Sequence, residues 1–170
     1  MGKLGHLVYG AVKADRVDDL PGETKCMALA MKEHAHLPGV HNALEFADVR
    51  DGEPHEIDVD GEPLNPLAHI SLHAAVLEMV QNNKEAEAAF RALVGEGINR
   101  HHAVHILGGL VGGFLWVRAR KAKGLDASDD TGLLQGDIEQ ALARIQRDGD
   151  YRAQLIGTFT AAHWEHVTDE

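Results

Sequence analysis

The residues best suited to chemistry are two pairs of histidines, His69-Ile-Ser-Leu-His73 and His101-His102-Ala-Val-His105, each set in a stretch with helical patterning. Residues four apart in a helix share a face, with Cβ atoms roughly 5–6 Å apart, so each pair can aim two imidazoles at one point. Two such helices side by side would offer four nitrogen ligands, from His69, His73, His101 and His105. Imidazole suits zinc, iron, copper and nickel, so the expected cofactor is a divalent or transition metal ion, with zinc or iron foremost. The plainer alternative is that the same imidazoles hydrogen-bond within a bundle, in which case a buried cluster must find several acceptors. His102 is turned about 100° from His101 and falls outside such a site. Glu78 follows His73 by five residues, about 140° round the helix, which suits it to accept an imidazole N–H from a neighbouring helix rather than to ligate.

Other chemical patterns carry less. Glu33-His34-Ala35-His36 holds one Glu-x-x-His step, whereas carboxylate-bridged di-iron bundles need that step on two helices plus further glutamates. His163 and His166 lie near the end of the chain and are expected to be exposed. No serine or cysteine is paired with a histidine in a recognised motif, which argues against acyl transfer by a triad. Asp58-Val59-Asp60-Gly61 lacks the remaining oxygen ligands of a calcium loop and reads as a turn. Gly108, Gly109, Gly112 and Gly113 form two interleaved GxxxG steps. Glycine weakens a helix by about 1 kcal/mol relative to alanine, so four of them imply that another backbone comes close, by helix packing within the chain or across a homodimer.

The elements that must position these residues are helical. Pro21-Gly22 marks a turn, after which Thr24 is expected to cap a helix over 24–36. Residues 1–20 have weak periodicity, with Leu7, Val8, Tyr9, Ala11 and Val12 as a short docked segment. A brief helix over 40–49 leads into an acid-rich stretch, within which 55–64 alternates about Asp60-Gly61 like a small β-hairpin or extended arm. Asn65-Pro66 is a helix start, with asparagine as cap and proline in the first turn, and that helix runs to about Gln81. Helices over 84–94 and 99–123 follow, the second apolar on most sides and expected to be the central buried helix. Two more are expected over 137–147 and 151–165. The fold class is therefore an all-α helical bundle with a small extended arm or hairpin.

Length and composition fit this. The chain has 170 residues, 44% hydrophobic and 25% charged, which suits a single helical domain over 1–170. A net charge of −11 disfavours phosphate backbones and anionic lipid surfaces, so no nucleic-acid or membrane partner is expected. The single cysteine, Cys26, cannot form an intramolecular disulfide and agrees with a cytoplasmic location. No run approaches a membrane span, and the start has too short an apolar stretch for a secretory signal.

The stretch from Asn65 to Arg118 resembles the bacterial proteins grouped as domain of unknown function family 1841, small helical proteins without an established activity. The matching residues are Asn65-Pro66, His69, His73 and Glu78, then His101, His105 and Trp116, about a third of the chain. His36-Leu-Pro-Gly-Val-His41 resembles the family's upstream histidine-proline-histidine turn, with one more residue between the histidines, and so draws His36 and His41 towards the quartet. The family commonly places an acidic residue just before its last histidine and another one turn after it; Val104 and Gly109 stand there in this sequence.

Two functions are compatible with these readings. One is a metal-dependent enzyme, a hydrolase or an oxidoreductase acting on a small molecule, in which an open coordination position activates water or dioxygen. The other is a non-catalytic structural or partner-binding protein with a hydrogen-bonded or metal-filled histidine cluster. Four protein ligands saturate tetrahedral zinc and favour a structural role; three and a water favour catalysis.

Overall fold

The structure, a computed structural model, describes residues 2–35, 56–59, 62–126 and 132–163, with side chains left aside at 2–6, 57–59, 62–64 and 160–163. It is an all-α fold. In chain order the helices are α1 (Gly2–Lys13), a 3₁₀ turn (Val17–Asp19), α2 (Gly22–Glu33), α3 (Pro66–Asn82), α4 (Lys84–Gly95), α5 (Arg100–Ala122), α6 (Ile138–Arg147) and α7 (Gly149–His163). Two three-residue strands, β1 (Ile57–Val59) and β2 (Glu62–Leu64), precede α3 and pair antiparallel with Ile57 opposite Leu64. Asp60-Gly61, the expected turn, lies outside the described residues, as do the expected 40–49 helix, His36, His41 and His166.

The chain divides into two compact units, Met1–Glu78 and Met79–Glu170, with the division falling inside α3. In the first unit α1 packs on α2. The buried core joins Val8 and Val17 to Cys26, Ala28, Ala30 and Met31 of α2, and to Ile70 and Ala74 of α3. Residues 2–13 thus form a full helix rather than a short docked segment. Gly2, Gly5 and Gly10 dilute its apolar period, and packing against α2 supplies what propensity lacks. Helix α2 begins earlier than expected: Pro21 is its N-cap residue and Thr24 lies in its first turn.

In the second unit α4 packs on α6 and α5, and α6 and α5 each pack on α7. Helix starts here are set by side chains. Asn83 Oδ1 accepts the Ala86 N–H at 3.0 Å, Asn99 Oδ1 the His102 N–H at 2.8 Å and Asp137 Oδ1 the Gln140 N–H at 2.9 Å. Each satisfies a donor that the first helical turn would otherwise leave unpaired. The buried Tyr151 hydroxyl donates to the Leu133 carbonyl at 2.9 Å, and Arg144 stacks on the Tyr151 ring at 3.8 Å. Helix α5 is buried from Ala103 to Gly108 and at Leu110 and Val117, while Leu115 and Trp116 are 60% and 52% exposed. Its first half is therefore the buried part, and the expectation of a centrally buried helix fails for its second half. Arg120 covers one face of Trp116, 4.9 Å from the ring.

Candidate metal centre

Helix α3 carries the first histidine pair. Asn65 caps it through an Ala68 N–H bond of 3.0 Å, and Pro66 in the first turn gives up no hydrogen bond. This start fixes the phase in which His69 and His73 emerge on one face. Their ring centroids are 4.6 Å apart. Ile70 and Ala74, each one residue further on, turn into the apolar core of the first unit.

A third imidazole meets them there. His34 follows the last residue of α2 and is 1% exposed; His73 is 2% exposed and His69 half-buried. The His34 ring lies edge-on to both, with centroids 4.7 Å from His69 and 4.3 Å from His73. Ligand atoms of His34, His69 and His73 all lie within 4.8 Å of one another. Sequence reasoning missed His34, treating it only as part of the Glu33–His36 step. Its one sequence signal is its place at the C-terminal end of α2, a turn beyond Ala30.

The hydrogen bonds of His34 fix its tautomer. Nδ1 is 2.7 Å from the Ala30 carbonyl oxygen, and a carbonyl only accepts, so Nδ1 carries the proton. In the neutral ring Nε2 then presents its lone pair, which is the state a metal ligand needs. That nitrogen is 2.9 Å from His69 Nε2, which donates to it when no ion intervenes. Two nitrogens on one tetrahedral zinc, at 2.0–2.1 Å from the ion, stand about 3.3 Å apart, so the rings need to part by only a few tenths of an ångström to admit one.

Glu33, exposed at the end of α2, has a carboxylate oxygen within 4.8 Å of a His73 ring nitrogen. The charge of Glu78 bears on Cys26. Burial pushes the Cys26 thiol above its ordinary range, and the Glu78 charge pushes it the same way. The thiol is therefore held protonated inside the core, a poor metal ligand and a poor nucleophile.

The second pair belongs to the other unit. His101 and His105 stand on the first turns of α5, positioned by the Asn99 cap, with Nε2 atoms 2.8 Å apart and centroids 4.4 Å apart. His105 is buried and His101 half-buried. The His102 ring centroid lies 6.2 Å from that of His101. The expectation that all four histidines serve one ion joins residues of both units, and each pair is described within its own. His163 ends α7, with its side chain outside the described residues.

Two glycines of α5, Gly109 and Gly113, meet side chains of their own unit. A Cβ on Gly109 would run into the Phe159 ring of α7, and one on Gly113 would lie 2.9 Å from the Leu134 methyls; one on Gly112 would meet nothing within 4 Å. Among the described residues no helix is long and apolar enough to cross a membrane.

A family model described as Domain of unknown function (DUF1841) matches residues 15–135. It extends well beyond the Asn65–Arg118 stretch in which the resemblance was read, and takes in α2 with His34. No curated protein and no solved structure matches the chain.

Proposed function

The chain belongs to the DUF1841 family, and on the geometry of its histidines we propose that it is a metal-dependent enzyme whose centre holds zinc or iron. His34, His69 and His73 are the ligands of the first unit. His101 and His105 are ligands too, on the strength of their i,i+4 spacing, and the single four-histidine site read from the sequence rests on that spacing alone. The observation that carries the proposal is the Nδ1–H bond from His34 to the Ala30 carbonyl. It leaves His34 Nε2 as a lone pair among two further imidazoles, with its other nitrogen secured by backbone as metal-bound histidines require. An ion held by these three imidazoles would have room for a water ligand and would supply the charge that lowers the pKa of that water towards neutrality.

A hydrogen-bonded cluster without metal is the second reading, and the 2.9 Å His34–His69 contact favours it. A homodimer through the glycine-rich face would use Gly112, beside the exposed Leu115 and Trp116, because Gly109 and Gly113 meet side chains of their own chain.

Metal analysis of protein purified without a nickel column decides between the two readings, since twelve histidines can capture nickel adventitiously. The metal reading expects bound zinc or iron that falls in His73→Ala and in His105→Ala. Metal-free wild type that folds fully and ignores added chelator would overturn it.

A further inference from the structure

Resting on the metal reading of the same site, we infer that Glu33 is a positioning residue that orients His73, and is not itself a ligand. When one nitrogen of an imidazole binds a metal, the other carries a proton, and in a buried ring that N–H must find an acceptor. For His34 the acceptor is visible in the Ala30 carbonyl. His73 is as deeply buried, at 2% exposure, and faces the same demand. The carboxylate of Glu33 comes within 4.8 Å of one of its ring nitrogens.

Two features make Glu33 an orienting group. Its carboxylate comes within 4.8 Å of a His73 ring nitrogen, near enough to turn towards the N–H of that ring. It is also exposed, so its side chain can adjust to the His73 N–H without straining a packed core. Three neutral imidazoles add no negative charge to a divalent ion. A carboxylate hydrogen-bonded to one of them raises that ring's basicity and places compensating charge one bond beyond the coordination sphere. Helix α2 thereby contributes twice: its last residue orients His73, and the next residue ligates.

The test is cobalt(II) titration of the full chain, following affinity by competition with a chelator and the coordination sphere by the visible absorption bands. Wild type, Glu33→Gln, Glu33→Ala and His73→Ala are compared. Loss of an orienting carboxylate weakens metal affinity by about 10–100-fold. Glu33→Ala is therefore expected to lose that much with unchanged bands, and Glu33→Gln less, since an amide oxygen still accepts the N–H without the charge. His73→Ala, which removes a ligand, is expected to change the bands themselves. The melting temperature of the metal-free protein should be the same in wild type and both Glu33 variants. Equal cobalt affinity in wild type and Glu33→Ala overturns the inference while leaving the metal reading standing. Altered bands in Glu33→Ala also overturn it, by making Glu33 a ligand. A wild type that binds no cobalt overturns the metal reading, and the inference with it.

Discussion

Cys26 is fully buried in the first unit's core, where burial first and the Glu78 carboxylate second hold its thiol above the ordinary range. A thiol attacks as thiolate, so both effects slow it, and the surrounding side chains exclude reagent. Iodoacetamide at pH 8 is expected to leave folded protein unlabelled and to modify one site per chain in denaturant, as intact-mass measurement would show. Rapid labelling of folded protein would place Cys26 at an accessible surface. His34 teaches a different lesson at this scale. The i,i+4 spacing of His69 and His73 was legible because helical geometry alone places them together. The place of His34 beside them was not, because it depends on where α2 ends and on a backbone carbonyl one turn back, neither of which leaves a periodic trace in the sequence. Glu33 was read in a Glu-x-x-His step towards His36, whereas the structure sets it beside His73.

At the scale of elements, the Asn65 cap was readable and the Thr24 cap was not, since Pro21 takes that position. Asn65, Asn99 and Asp137 each begin a helix where a short polar acceptor can take the N–H three residues on. The first helix was not readable, since its glycines weaken the apolar period and tertiary contact with α2 makes up the difference. The glycines of α5 were read as admitting another backbone, whereas a Cβ on Gly109 or Gly113 would meet the side chains of Phe159 and Leu134 and one on Gly112 nothing. Substitutions should therefore divide by position. Gly109→Leu and Gly113→Leu overfill these contacts and are expected to destabilise by about 1–3 kcal/mol each. Gly112→Ala meets open space and gains helix propensity, so it is expected to stabilise by up to about 1 kcal/mol. Urea denaturation of the three variants checks this; equal stability across all of them would mean that neither side chain fills the glycine face.

At the scale of the whole molecule, a bound metal would link stability to pH and to free metal in a way hydrogen bonds do not. A ligand that binds only the folded state at 100 times its dissociation constant adds about 2.7 kcal/mol, which for a chain of this length corresponds to a rise in melting temperature of about 5–10 °C. Imidazole binds metal only when deprotonated, and its unperturbed pKa is about 6.5. The stabilisation is therefore fully present above that range and is lost as pH falls through it, when protons displace the ion. Chelator added at pH 7.5 is expected to lower the wild-type melting temperature by that amount and to have little further effect on His73→Ala. The wild-type difference between chelated and metal-loaded protein should close by about pH 5. If the histidines are only hydrogen-bonded, His73→Ala can still melt earlier, because burying an imidazole's partners without the imidazole leaves them unsatisfied. Chelator would then change neither protein at any pH, and that outcome would remove the metal from the account of this fold.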